Sequence, residues 1–195
     1  MSKQQLDFLT PEEMREFDKA FASLDIRVAD RSVVREKILL TVQAAKAKMK
    51  ANFGGLYPRG NEIGIGPIRA NHLGGSATYG FATAYTAAGW NDYMITNMNV
   101  LEDHFVCMWE LEDTEPVARA QQMAWFYGEY TSPIIDLTGI KTSEYNRVPF
   151  PEPIILTEKV NIDADIRLEA AGWCGVRPVG AVVTSAIHLI KKRPA

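Results

Sequence analysis

The 195-residue chain is poor in the residue types that most often carry chemistry, with two cysteines and three histidines. Cys107 and Cys174 stand far apart in sequence. That spacing leaves a disulfide open, but it more commonly belongs to two buried thiols in a chain made in a reducing compartment. No two of His72, His104 and His188 lie within four residues of each other, and HxH, HExxH and paired CxxC patterns are absent. A zinc site would therefore need ligands gathered from across the fold. Neither sign of charge dominates: the formal net charge is -3 at pH 7, which gives the whole molecule no general attraction for nucleic acid. No stretch approaches the roughly 18 uncharged apolar residues of a membrane span. The opening "MSKQQLDFLTPEE" lacks the apolar segment of a signal peptide, so a soluble, cytoplasmic product is expected. No internal repeat or low-complexity segment is found.

What is present falls into two textures. From Thr10 to about Asn52 the chain reads as helical. Thr10 can cap, Pro11 suits the first helical position, and Glu13 completes a capping box. Met14, Phe17, Phe21 and Leu24 then recur at helical spacing. A second helix is expected to start after Asp30 or Ser32, with Val34, Ile38, Val42, Ala45 and Met49 on one side, and to stop at Phe53 to Gly55. Residues 1–54 are thus expected to form a two-helix N-terminal arm.

Residues 55–195 are rich in glycine, proline, threonine and aromatics and read as β. "NDYMITNMNV", "HFVCMWELED" and "VGAVVTSAIHLI" read as strands, the last apolar on both sides. A strand with two apolar faces must be covered twice, by its own domain or by another subunit. "DTEPVARAQQMAWFYGEY" is expected to be a short helix or turn leading into a strand. Pro149, Pro151 and Pro153 force an extended, non-ladder arm over 148–153. Short strands without interleaved helices predict a mainly β chain with an N-terminal helical hairpin: an antiparallel sandwich or jelly-roll-like domain.

The chemistry-bearing patterns are weak. In "VNIDADIRLEA" the acids Asp163 and Asp165 alternate with Ile162, Ala164 and Ile166, and no glycine-containing calcium loop joins them. They read as the wet face of a strand. Glu102, Asp103 and His104 form a candidate acid-base group that reads more simply as a polar strand entrance. Ser76 lacks a nucleophile elbow, and the glycines at 64–66 and 74–75 lack the helix and Lys-Ser/Thr pair of a phosphate cradle. Arg31, Arg35, Lys37, Lys46, Lys48 and Lys50 face a single acid, Glu36, over 31–50. This locally positive helix is a candidate contact for membrane or nucleic acid, or else a solvated face balanced from elsewhere. Trp90, Trp109, Trp125 and Trp173 could line a ligand pocket or a subunit interface.

The stretch from "SPIIDLTGIKTSEY" through "PFPEPIILTEKVNIDADIRLEAAGWCGVRPVGAVVTSAIHLIKKRPA" resembles, in style rather than in motif, the β-rich halves of virion structural proteins of bacterial and archaeal viruses. In those a jelly-roll-like domain ends in a hydrophobic strand and a short basic tail. The resemblance implies a capsid, decoration or vertex protein of the virion that binds copies of itself and other shell proteins, with no catalysis, cofactor, metal or small-molecule substrate. Val179, Val183, Ile187 and Leu189 of the last strand, Phe17 and Phe21 of the helices and Pro149 and Pro151 of the arm are the expected assembly contacts. The alternatives are a carbohydrate- or small-ligand-binding β-sandwich, for which Trp90, Trp109 or Trp125 must converge on one exposed pocket, and a cupin-like metalloenzyme.

Overall fold

The computed structural model describes residues 9–53, 63–73 and 81–185. The first helix, α1 (Pro11–Ala22), begins as its sequence dictates. The Glu13 amide donates to Thr10 Oγ1 at 3.3 Å, and Glu13 Oε2 accepts from the Thr10 amide at 2.6 Å. A short 3-10 turn leads into α2 (Arg31–Phe53).

Twelve strands follow among the described residues: β1 (Ile63–Pro67), β2 (Thr83–Tyr85), β3 (Gly89–Asp92), β4 (Met98–Asn99), β5 (His104–Asp113), β6 (Ala120–Tyr127), β7 (Tyr130–Thr131), β8 (Ile135–Asp136), β9 (Arg147–Leu156), β10 (Asn161–Leu168), β11 (Gly172–Cys174) and β12 (Val176–Ser185). An inner sheet has the order β1-β12-β5-β9, and an outer sheet the order β3-β10-β6-β7, with β4 on β10 and β8 on β6. A two-stranded ribbon joins β2 to β11. Every pairing is antiparallel. The chain is therefore a mainly β antiparallel sandwich preceded by two helices.

The inner sheet is covered on both sides, and the pleat of β5 shows how. Val106, Met108 and Leu111 join Met123, Trp125, Ile162 and Ile166 in a core between the sheets. Phe105, Cys107 and Trp109 join Phe17, Phe21, Val34, Ile38 and Val42 in a second core under the helices. Two successive residues, Trp109 and Glu110, interrupt the alternation at a register shift of β5 against both neighbours. Opposite them Gly180 is obligatory, because a Cβ there would run into the Cys107 carbonyl oxygen and lie 3.1 Å from Met108 Cα.

This arrangement answers what covers the last strand. Val183 is buried in the helix-side core and Val179 packs at its margin, so the chain itself fills the face expected to meet a neighbour. Phe17 and Phe21 lie in the same core, stacked at 5.9 Å between ring centroids. Val183, Phe17 and Phe21 are thus corrected from assembly contacts to intramolecular ones, Val179 stays half-buried, and the two helices form a layer on the sheet rather than an outstretched arm. Ile187 and Leu189 lie outside the described residues.

Of the helix or turn expected before β6, residues 114–119 form the turn, because Asp113 Oδ1 accepts from the Glu115 amide at 3.0 Å and closes it. One local reading changes. Pro149 and Pro151 are exposed within β9 itself, an edge strand of the inner sheet. Ladder pairing with β5 skips from Pro149 to Ile154, where prolines have no amide to donate. Cys107 and Cys174 are free, buried thiols.

If the helices are a structural layer, substitutions in them should report on the fold as a whole. Ile38→Ala is expected to lower the unfolding free energy by about 3 kcal/mol, because Ile38 is fully enclosed. Leu40→Ala, on the solvent side of the same helix, should stay within about 0.5 kcal/mol. Urea titrations followed by circular dichroism test the pair; equal small effects would show that the helices do not share the sheet's core.

Candidate functional site

Four groupings of polar or aromatic side chains are built by this fold, and their geometry separates structural from functional roles. The first surrounds the β5 irregularity. Glu110 is fully buried on the helix side of the sheet. Arg27, from the α1–α2 linker, pairs with it directly, and Arg147 Nη1 approaches its other oxygen at 3.7 Å. Arg147 also bonds Asp25 and, at 3.2 Å, Glu112, which in turn takes Arg177 at 2.9 Å. The network stitches the helix linker to β5, β9 and β12.

Burial pushes the Glu110 carboxyl above the ordinary carboxylate range, although the Arg27 and Arg147 charges oppose it. The hydrogen bond from Arg147 holds Asp25 below that range. Beside the network lies a cleft of about 190 Å³ lined by Ser23, Asp25, Trp109, Arg147 and Arg177 among others. Its charged groups pair as ions, yet Trp109 Nε1, Arg147 Nε and both Glu110 carboxylate oxygens are buried without a hydrogen-bond partner; the cleft lies at the seam between helix linker and sheet.

The second grouping lies at the far end of β5. The His72 and His104 rings are 5.4 Å apart and tilted by 33°. His104 Nδ1 donates to the Glu102 carbonyl at 2.8 Å, whereas His72 Nδ1 accepts from the Arg69 amide at 3.1 Å. Burial, with the neighbouring His104 and Arg69 charges, lowers the His72 pKa to about 4. Of the acid-base group read from sequence, the Asp103 amide donates to Glu158 at 2.9 Å and Glu102 pairs with Lys159 at 3.1 Å. Among the described residues no three His, Cys, Asp or Glu side chains gather in a metal-binding arrangement.

The third is the basic face of α2, which the tertiary structure neutralises. Arg35 bonds Asp18 at 2.8 Å, Lys37 bonds Glu152 at 2.5 Å, Lys46 bonds Glu13 at 2.6 Å and Lys48 lies 3.3 Å from Glu158. Arg31 sits over the Phe21 ring at 5.2 Å. Lys50 is in the same helix, near its end. Carboxylates from α1, β9 and the β9–β10 turn thus meet the charge that the isolated helix presents. Sequence alone could not show this, because each partner is distant in the chain. No described helix is long and apolar enough to cross a membrane.

The fourth is the outer face of the outer sheet, with the ribbon that prolongs it. Along β10, Ile162, Ala164, Ile166 and Leu168 point inward while Asp163, Asp165 and Arg167 point outward, as the alternation in sequence dictates. Asp165 stands opposite Asp92, and Arg167 opposite Trp90. Burial, together with the Asp163 and Asp92 charges, holds Asp165 above the usual carboxylate range. Arg167 donates to Gln122 at 3.2 Å. The tryptophans do not converge on one pocket. Trp125 fills the core between the sheets, Trp109 fills the core under the helices, and Trp90 and Trp173 face solvent.

Those two exposed tryptophans expose a signal that a search for long periods passes over: Ala87-Ala88-Gly89-Trp90 and Ala170-Ala171-Gly172-Trp173 are identical. The fold sets the Gly-Trp of each in a strand. β3 runs against β10 through Gly89 and Trp90, and β11 runs against β2 through Gly172 and Trp173. Bends at 86–88 and 169–171 separate the two ladders. Gly89 and Gly172 both adopt positive φ, 91° and 138°, a conformation that glycine reaches without the steric cost of a side chain.

Two measurements separate these roles. Arg147→Met should cost about 3 kcal/mol, because it leaves Glu110 buried with one partner fewer, while Asp25→Asn, on an exposed side chain, should cost under about 1 kcal/mol; equal effects in denaturant titrations would remove Glu110 from the role of anchor. For His72 the folded pKa lies below the ordinary 6.5, so the unfolded chain binds more protons between the two values. Stability is therefore expected to fall as pH drops from 6.5 toward about 4. His72→Gln should flatten that part of the profile, and an unchanged slope would assign the acid sensitivity elsewhere.

No family model matches the chain, and no curated protein matches it. Among solved structures the chain is similar to the C-terminal CBM6 of LamC, a marine laminarinase from Zobellia galactanivorans, at 9% identity and a TM-score of 0.29, over 63% of this chain and 100% of that one. At that distance the likeness carries no functional argument, and the sandwich assignment rests on the strand pairing itself.

Proposed function

We propose that this chain is a structural protein that assembles with copies of itself into a viral capsid or a similar protein shell, as a capsid, decoration or vertex component, without catalysis. The observation that carries the reading is the outward placement of large apolar side chains: Tyr130 is 71% exposed, Trp173 60% and Trp90 48%. Ile134, Tyr145 and Val117 also face outward. A tryptophan left in water forgoes much of the stabilisation its burial supplies, and aromatic side chains of this kind anchor the buried centres of protein interfaces.

The body that presents them suits a tile. Two cores share one sheet, and a buried ion network ties the helix linker to it. Its β9 edge carries Pro149 and Pro151, which block continuous strand addition. Association is thereby directed to faces and loops.

A second reading, a carbohydrate- or small-ligand-binding sandwich, draws on the outer face, where Trp90 stands beside the hydrogen-bonded Arg167 and Gln122. Flat aromatic surface next to polar groups suits a sugar ring as well as a protein neighbour.

Light scattering coupled to size-exclusion chromatography, over a range of protein and salt concentrations, decides between them. The structural reading expects defined oligomers or mass that grows with concentration. A monomer at every concentration would overturn it.

A further inference from the structure

The cleft beside the Glu110 network holds donors that the fold leaves unanswered. Trp109 and Arg147 both line it, at 3% and 6% exposure. Trp109 Nε1 and Arg147 Nε are buried and have no hydrogen-bond partner among the described residues. Neither side chain is free to turn elsewhere. The Trp109 ring is packed in the core under the helices. Arg147 Nη2 is held by Asp25 and Glu112, Nη1 faces Glu110 at 3.7 Å, and the Tyr145 ring centroid lies 5.8 Å from the guanidinium carbon. Tyr145 takes that place at a left-handed φ of 59°, a strained conformation for a non-glycine residue of the kind found around ligand sites. A buried donor without an acceptor is destabilising, and two such donors in one cleft call for an acceptor from outside the chain.

The rest of the cleft names the class of that acceptor. Its charged residues cancel, Asp25 and Glu112 against Arg147 and Arg177. The carboxylates of Asp25, Glu110 and Glu112 already surround Arg147, so a further anion would be repelled at close range. The unanswered groups of the lining are donors, whereas the Glu110 oxygens face Arg27 and Arg147. Leu24, Pro67, Ile68, Pro178 and Val179 supply apolar walls. At about 190 Å³ the cleft is smaller than the roughly 300–1,000 Å³ of sites for drug-sized ligands. The Asp25 side chain, 77% exposed, lines the same cleft and offers a carboxylate to an N–H, which favours an amide over a ketone.

We infer that this cleft binds a small uncharged amide or lactam, whose carbonyl oxygen accepts from the Trp109 indole N–H and the Arg147 Nε–H while its apolar body lies against the leucine, isoleucine, valine and prolines. The site sits between helix linker and inner sheet, apart from the outer face, and its occupancy is independent of self-association.

Nuclear magnetic resonance on the full, isotopically labelled chain tests this with 2-pyrrolidone as the probe. The indole N–H signal of Trp109 should move downfield and saturate, with half-saturation at or below about 10 mM, while the signals of the exposed Trp90 and Trp173 stay in place. Cyclopentanecarboxylate, similar in ring size but negatively charged, should bind at least tenfold more weakly. Trp109→Phe keeps an aromatic ring in the core and removes the N–H; it should raise the half-saturation concentration at least fivefold, read from the backbone amides of Val179 and Gly180. A Trp109 signal that ignores the lactam, as when water alone fills the cleft, would overturn the site. Equal or tighter binding of the carboxylate would overturn the uncharged class, and unchanged affinity in Trp109→Phe would overturn the indole as donor. Should that variant unfold, the two wild-type titrations decide the question by themselves.

Discussion

The constraint on which the rest of the structure depends is that the inner sheet has no wet face. β5 and β12 place apolar side chains on both sides, and an uncovered side would leave Phe105, Cys107, Trp109 and Val183 in water. At roughly 25 cal/mol per Å² of apolar surface, two such layers supply the driving force for folding. They also fix the order of layers: outer sheet, inner sheet, helices. The helices are amphipathic because they have only one neighbour, whereas the central strands read as nearly continuous apolar runs because they have two.

A buried carboxylate in such a place needs explanation, and the β5 irregularity provides one. Two successive residues on one side of the strand bring Glu110 beside Trp109 under the helix linker. Removing Glu110 from water is unfavourable unless it is paired, and Arg27 and Arg147 supply the pairing from two different elements. The consequence is orientation more than stability. Apolar packing alone would let the helices slide along the sheet, since a Leu or Val is indifferent to a shift of a few ångströms. A paired charge with defined partners is not. Gly180 serves the same end by allowing β12 to approach where β5 departs from its regular course.

Much of this was legible locally. The capping box at Thr10 and Glu13 involves residues three apart, so the sequence states it outright. The two-sided strand 176–185 announced that it needed two covers, and the stripe of Phe17, Phe21, Val34 and Ile38 announced a helix face in want of a partner. What local reading could not do was join the two, because a strand's second face accepts a neighbouring subunit as readily as its own helices. The choice left open at 113–130 between a short helix and a turn leading into a strand falls to the turn, because helix-forming alanine and glutamine residues yield to pairing of β6 with β10 while Asp113 closes a turn just before them. The ion network was illegible for a related reason: Arg27, Glu110 and Arg147 are separated by most of the chain. The repeated Ala-Ala-Gly-Trp was fully visible as letters, but it is too short to signal anything until the fold sets each Gly-Trp in a strand with its tryptophan facing solvent.

Covering the inner sheet twice also determines where any outside partner can bind. The helix side is closed by α1 and α2, whose basic residues are largely engaged with carboxylates of other elements. The β9 edge is interrupted by prolines, and a partner strand adding there would find missing amides. The outer face of the outer sheet with its ribbon is open, as is the β1 edge, and on that face the residue types change character. Tryptophan stands where threonine or serine would serve a solvated strand, and aspartates stand side by side where alternating charges would be more stable. A fold that neutralises the basic side chains of α2 so thoroughly, yet leaves like charges adjacent and indoles exposed on one face, concentrates its unfavourable surface where a partner can relieve it.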